Sequence, residues 1–197
     1  MRSALVLSIL LSGLTTAAYS APTEQQAFES AVAEDAERAA RRERLFGQLK
    51  AAQSEEEGRR LEQAIWQFWM DGAPNADARQ LVEDGMARRS DYDLRGAEDL
   101  LGEAIAIAPT YPEAYNQRAF VRFLLEDFGG ALDDLEQTLE LEPDHFGALA
   151  GLYHVHLRQG RLKAAFGALR QAVGIHPWIS ERSALPASEQ PNKAIEL

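Results

Sequence analysis

One phrase returns at a fixed interval in this chain and limits what it can fold into. Ile105-Ala106-Ile107-Ala108-Pro109, Leu139-Glu140-Leu141-Glu142-Pro143 and Val173-Gly174-Ile175-His176-Pro177 follow one another at 34-residue spacing. The register holds between them. Leu94, Phe128 and Leu162 share one position, Ala97, Ala131 and Ala165 a second, and Leu101, Leu135 and Leu169 a third. Earlier in each copy stand Leu81, Tyr115 and Leu149, then Gly85, Ala119 and Tyr153. A period of this size marks helical hairpins stacked side by side. Small residues recur where two helices approach closely, and large apolar ones where the gap between hairpins must be filled. One hairpin cannot bury its apolar face alone, so roughly three are needed for a stable stack. Each closing proline ends a second helix, because it lacks an N–H and disfavours helix in the residue before it. Asp93 and Asp127 are placed to cap the second helices of the first two copies, whereas Arg161 in the third is not a capping residue.

These residues resemble the tetratricopeptide repeat (TPR), a helix–turn–helix unit of about 34 residues, and the resemblance covers about half the chain. It implies an all-α fold: an α-α superhelix of three helical hairpins over residues 78–177, divided as 78–111, 112–145 and 146–177. Some residues depart from the family pattern. Arg122 stands where an aromatic is usual, Tyr153 where a small residue is usual, and Asp84 where an apolar one is usual. The resemblance also implies a concave groove lined by the first helix of each copy. Its residues here are Arg79, Val82, Glu83, Met86 and Arg89, then Asn116, Gln117, Phe120, Phe123 and Leu124, then Ala150, His154, Leu157 and Arg158. Phe120 and Phe123 beside arginines suit a peptide with apolar anchors and an acidic group, unless both rings pack into neighbouring hairpins. The lysine–asparagine clamp by which some members hold acidic C-terminal tails has no counterpart, since the only lysines are Lys50, Lys163 and Lys193.

The flanks fall outside the register. Met1–Ser20 reads as a secretory signal, with Arg2 as the positive start, Ala4–Leu14 as the apolar stretch and Ala18-Tyr19-Ser20 before a cleavage point at Ala21. An uncleaved signal would instead be a membrane anchor. Residues 21–74 are expected to form a helical hairpin that caps the first repeat. Its second helix opens at the capping box Ser54-Glu55-Glu56-Glu57 and presents Leu61, Ile65, Phe68 and Trp69 on one face, with Trp66 beside it. Trp66 and Trp69 are expected as core or capping residues; an exposed pair would mark a partner surface. In the tail, 178–197, Trp178 and Ile179 are expected to cover the last hairpin, with the residues from about Ser183 disordered.

Little in the chain points to chemistry. There is no cysteine, so an exported form must rely on its core rather than on disulfides. A formal net charge of −11 argues against nucleic acid and anionic membranes as partners. His154 and His156 lie two apart on a helix and cannot share a metal, and His145 and His176 lie on different hairpins. No P-loop, GxSxG, HExxH or calcium-loop sequence is present. Glu98, Asp99, Asp133 and Asp134 are expected on a solvated outer face. The expectation is a non-enzymatic protein-interaction module without metal or cofactor, binding a peptide or partner protein in the groove. Over Leu45–Pro177 the chain is also similar to small exported TPR proteins of Gram-negative bacteria, which implies the periplasm. Self-association as a homo-oligomer, or tethering of an assembly factor to the inner membrane, are the alternatives.

Overall fold

The computed structural model describes residues 23–191. The expected signal segment and the last six residues of the tail lie outside the described residues. The chain divides into two compact units, residues 1–38 and 39–197. The described part of the first is helical and exposed along its length, with Phe28 and Val32 facing solvent. It is the start of α1 (Glu24–Ala51), whose remainder belongs to the second unit.

The second unit continues with α2 (Glu55–Met70) and then three hairpins. These are α3 (Ala76–Ser90) with α4 (Leu94–Ile107), α5 (Pro112–Leu124) with α6 (Phe128–Leu141), and α7 (Phe146–Arg158) with α8 (Leu162–Ile175). Two 3₁₀ turns follow, Ser180–Ala184 and Ala187–Glu189. Among the described residues there is no strand.

Local chemistry explains the boundaries. Asp93 and Asp127 accept from the N–H of Gly96 and Gly130 and cap α4 and α6, while Arg161 makes no cap bond at α8. Ser54 accepts from Glu57 N–H, and the Glu57 carboxylate reaches back to the N–H of Gln53, so the box opens α2 as read. His145 caps α7 through Nδ1, a role the histidine did not announce. The turn inside each hairpin uses one left-handed residue at the same register: Tyr92 (φ 62°), Glu126 (φ 61°) and Gly160 (φ 71°). Only the third is the glycine that such a position favours.

Three apolar clusters hold the second unit. Ala78, Val82, Leu101 and Tyr111 centre the first, between α3, α4 and α5. Ala119, Ala131, Leu135 and Val155 centre the next, between α5, α6 and α7. The largest joins α7 and α8 to the end of α1, to α2 and to the tail through Leu49, Ile65, Phe68, Trp69, Phe146 and Leu169.

Here the structure departs from expectation. The N-terminal hairpin does not sit on the first repeat alone: Met70 at the end of α2 packs against the first cluster, while the apolar face of α2 joins the largest one. α2 runs across the stack from the tail behind α8 to the loop before α5. Its start packs Gly58 under Trp178 and sets Glu62 against His176 (3.3 Å), and its end accepts a hydrogen bond from the Tyr111 hydroxyl at the Met70 carbonyl (3.3 Å). The reason lies on its apolar face. Leu61, Ile65, Phe68 and Trp69 are buried in one cluster with Phe146, Leu149 and Leu169 of the last hairpin, and removing both apolar faces from water together favours this route. The tail is docked as well through Pro191, not loose from Ser183. Leu185 is buried, the Gln190 side chain donates to the Leu185 carbonyl, and Arg170 pairs with Glu189 at 2.5 Å.

Two departures from the repeat pattern have visible causes. Arg122 reaches Glu98 (3.1 Å) and the buried Asp134 (2.9 Å), which Arg118 also holds with two bonds. An ion cluster thus replaces the usual aromatic packing between α4, α5 and α6, and Glu98 and Asp134 belong to it rather than to a solvated face. Tyr153 is buried beside Phe166 in the largest cluster.

Candidate functional site

The first helices α3, α5 and α7 turn the same repeat positions toward one another. Met86, Phe120 and His154 occupy one register position, and Arg89 and Phe123 a second, three residues on. Asn116 and Ala150 share a third, and Gln117 and Gly151 a fourth. These residues line a cavity of about 630 Å³. Trp66 and Met70 of α2 form one wall, Leu135 and Val155 part of the floor, and Glu181 of the first 3₁₀ turn a rim.

Several expected groove residues are elsewhere. Val82 is fully buried in the first cluster, although its repeat equivalents Asn116 and Ala150 line the cavity. Arg79 pairs with Glu83 (2.8 Å) and with Asp71 (3.0 Å), so both are taken up at the edge of α3. Leu124, Leu157 and Arg158 lie beyond the cavity, toward the C-terminal ends of α5 and α7. Arg158 pairs with Glu126 and covers the rings of Phe123 and Phe128. Met86, Arg89, Asn116, Gln117, Phe120, Phe123, Ala150 and His154 do come together.

A polar network organises the wall nearest α2. Glu113 is fully buried and accepts from Gln117 (2.6 Å), Asn116 (3.4 Å) and His145 (3.1 Å). The His145 tautomer follows from its surroundings. Nδ1 accepts the Ala148 N–H, so the proton sits on Nε2 and is donated to Glu113. The imidazole stacks on Trp69 with centroids 3.9 Å apart and the planes 9° from parallel. Trp66 meets the same ring edge-on at 5.5 Å and lies over Gly147, where a Cβ would fall 2.9 Å from the indole. Arg89 donates to the Gln117 carbonyl and sits 4.5 Å above the Phe120 ring. Burial pushes the Arg89 guanidinium below its usual range, opposed by the Glu113 carboxylate. On the far rim His154 meets Glu181 at 3.1 Å. That hydrogen bond holds the Glu181 carboxyl down to about 2, against desolvation.

Glu113 and Gly147 were missed by sequence reasoning, although they share the register position of Arg79 and a repeat alignment of the chain with itself points to them. Trp66, Met70 and Glu181 had no such signal, since they come from segments outside the repeat. Among the described residues no group of histidine and carboxylate side chains is spaced to hold a metal ion, and no helix is long and apolar enough to cross a membrane.

Hairpins of this length, stacked with their first helices turned inward, define a helical-repeat protein of the α-α superhelical class. The chain is 30% identical over 156 residues to a TPR repeat-containing protein of Rhizobium etli, covering 79% of this chain and 74% of the relative. It therefore belongs to the tetratricopeptide-repeat family, whose members mediate protein–protein interactions. Shorter stretches are similar to tetratricopeptide repeat protein 36 of Homo sapiens (39% over 64 residues, 34% of that protein). Another matches RNA polymerase II-associated protein 3 of Mus musculus (46% over 52 residues), of which the chain spans only 8%. The crystal structure of the Sgt2 TPR domain from Aspergillus fumigatus superposes with a TM-score of 0.50 at 24% identity, over 51% of this chain and 67% of that one, which shows the shared fold. No family model matches the chain.

Proposed function

We propose that this protein is a non-enzymatic scaffold or adaptor of the cell envelope, exported by the Met1–Ser20 segment, and that a partner protein docks on the open side of its inner face. One observation carries the docking surface. Phe120, Leu124 and Leu157 are 47%, 42% and 38% exposed and all lie on first helices of their hairpins, whereas the other exposed aliphatic side chains of the stack, Ile107 and Leu162, lie on second helices. Phe120 and Leu124 are one turn apart on α5, and Leu157 is the repeat equivalent of Phe123. Apolar anchors of this kind, with Arg89 and Arg158 alongside, suit a partner segment that carries aliphatic or aromatic residues beside an acidic one.

Panning a random displayed-peptide library tests this reading. Bait is the chain from Ala21, and the counter-bait carries Phe120→Asp, Leu124→Asp and Leu157→Asp. Enrichment of apolar–acidic peptides on the first bait alone is the expected result. Equal enrichment on both, or none, removes the inner face as the docking surface. Export is checked separately by the N-terminus of protein recovered from a Gram-negative host. Ala21 fits the periplasm, and an intact Met1 favours an inner-membrane tether.

Self-association is a second reading. Phe28 and Val32 are 69% and 51% exposed on the N-terminal part of α1, one turn apart. Sedimentation of the chain with and without residues 21–38 over a hundredfold range of concentration decides it. A mass that rises only in the longer form supports pairing through α1.

A further inference from the structure

The cavity differs from an open peptide groove in what it offers a ligand. Its walls are mostly apolar, with two methionines and two phenylalanines that adapt to an irregular shape. A buried peptide would bring an N–H and a carbonyl for every residue, and each needs a partner inside. The lining polar groups are already engaged with one another. Glu113 is taken by Gln117, Asn116 and His145, the Gln117 amide bonds both Arg89 and Glu113, and His154 is taken by Glu181. α2 also closes the side nearest the starts of α5 and α7, where Trp66 covers Gly147.

One cation of the lining has no direct ion-pair partner, the Glu113 carboxylate reaching it only through Gln117. Arg89 is half-buried and forms no ion pair with any described residue, its close contacts being the Gln117 amide and the face of Phe120. A desolvated guanidinium of this kind gains most from an anion brought beside it. The volume lies within the range of sites for small ligands, roughly 300–1,000 Å³, and exceeds the space of a single side chain.

We infer that the cavity binds an anionic amphiphile, whose hydrocarbon body lies between Trp66, Phe120, Phe123 and Met86 and whose carboxylate or phosphate head pairs with Arg89. This goes beyond protein docking on the open rim and does not depend on it. A chain without polar groups along its body leaves the paired network intact, and the head gives Arg89 the direct ion pair it lacks.

The test is calorimetric titration of the chain from Ala21 with dodecanoate and monododecyl phosphate below their micellar concentrations, with Trp66 emission as a second readout. Dodecyltrimethylammonium has the same body and the opposite charge. The expected result is saturable one-to-one binding of at least one anion, at least tenfold tighter than the cation. The stronger of the two anions identifies the head group as carboxylate or phosphate. Arg89→Met keeps the stem and is expected to weaken the anion at least tenfold. Ala119→Phe fills the floor and is expected to abolish the site. Arg89→Lys, which keeps the charge, is expected to restore most of the affinity and guards against a folding defect in the methionine variant. Equal binding of the cation, no saturation, or an unchanged affinity in Arg89→Met overturns the inference. So does tighter binding of the capped peptide acetyl-Leu-Phe-Glu-Leu-amide than of either anion, which would give the cavity to a peptide.

Discussion

Trp69→Ala asks whether α2 is a fixed part of the fold or a cover that lifts. Four large side chains of α2 are nearly or fully buried: Leu61, Ile65, Phe68 and Trp69. At about 1.5–3 kcal/mol each, their burial amounts to roughly 6–12 kcal/mol, which is comparable to the whole stability of a domain of this size. Trp69 is the largest of them. It stacks on His145 and touches Phe46, Trp66 and Phe146. Truncating such a residue costs about 3–5 kcal/mol from lost burial and the cavity left behind. The indole N–H has no hydrogen-bond partner, so nothing polar is lost with it. With a urea dependence near 2 kcal/mol per molar, the unfolding midpoint should fall by about 2 M. Urea titration followed by far-ultraviolet circular dichroism, with emission from Trp66 and Trp178 as a local probe, measures it. If α2 is integral, both signals fall together and earlier. A global midpoint that stays within about 0.3 M of the parent while Trp66 emission alone shifts would refute the reasoning, because a cover can be loosened without unfolding the stack beneath it.

Tyr92→Gly should stabilise by about 0.5–1 kcal/mol, read as a raised melting temperature, since the residue is held at φ 62° and its side chain is 88% exposed. Gly147→Val should lower the melting temperature and weaken quenching of Trp66, because its first added carbon falls 2.9 Å from the indole. Arg122→Ala should cost about 1–3 kcal/mol in chemical denaturation, as Asp134 stays buried with Arg118 as its remaining arginine partner. For pH, Glu181 is the group to follow. Its carboxyl is held from 4.5 down to about 2 by His154, so its contribution is complete above 4.5 and lost as pH falls toward 2. The difference in melting temperature between the parent and His154→Leu should therefore narrow as pH falls from 4.5 toward 2.

The repeat was legible because its cause is local and recurs. Alanines at 97, 131 and 165, leucines at 101, 135 and 169, and prolines after each second helix state one packing problem three times, and each copy checks the others. The inner-face positions were half legible for the same reason. Met86, Phe120 and His154 follow from the register and all line the cavity, but Val82 does not, although its register equivalents Asn116 and Ala150 do. A helix surface read by spacing alone does not say which side of the stripe the second helix covers. The route of α2 was not legible. Its apolar face is plain in Leu61, Ile65, Phe68 and Trp69, yet an apolar face names no partner. Both open ends of a helical stack offer the same kind of surface, and the side-chain volumes that decide between them lie more than 70 residues away, at Phe146, Leu149 and Leu169.

The buried carboxylate follows the same logic at finer scale. In the sequence Glu113 is an ordinary first-turn acid after Pro112, where a helix start favours negative charge. Nothing local says it will be enclosed. It is enclosed because His145, one repeat later, turns Nε2 toward it while Nδ1 caps α7, and because Trp69 of α2 lies flat on that imidazole. Three segments more than 30 residues apart thus fix one side chain, and through Gln117 they also place Arg89 over Phe120. If that chain of contacts positions the cation, Glu113→Gln should weaken dodecanoate or dodecyl phosphate binding by releasing Gln117, even though it removes a negative charge from the cavity lining. His145→Gln should weaken it again only where Glu113 is still present. Additive losses in the double variant would show that Glu113 and His145 act independently, and no loss from either would show that Arg89 is held by Phe120 alone.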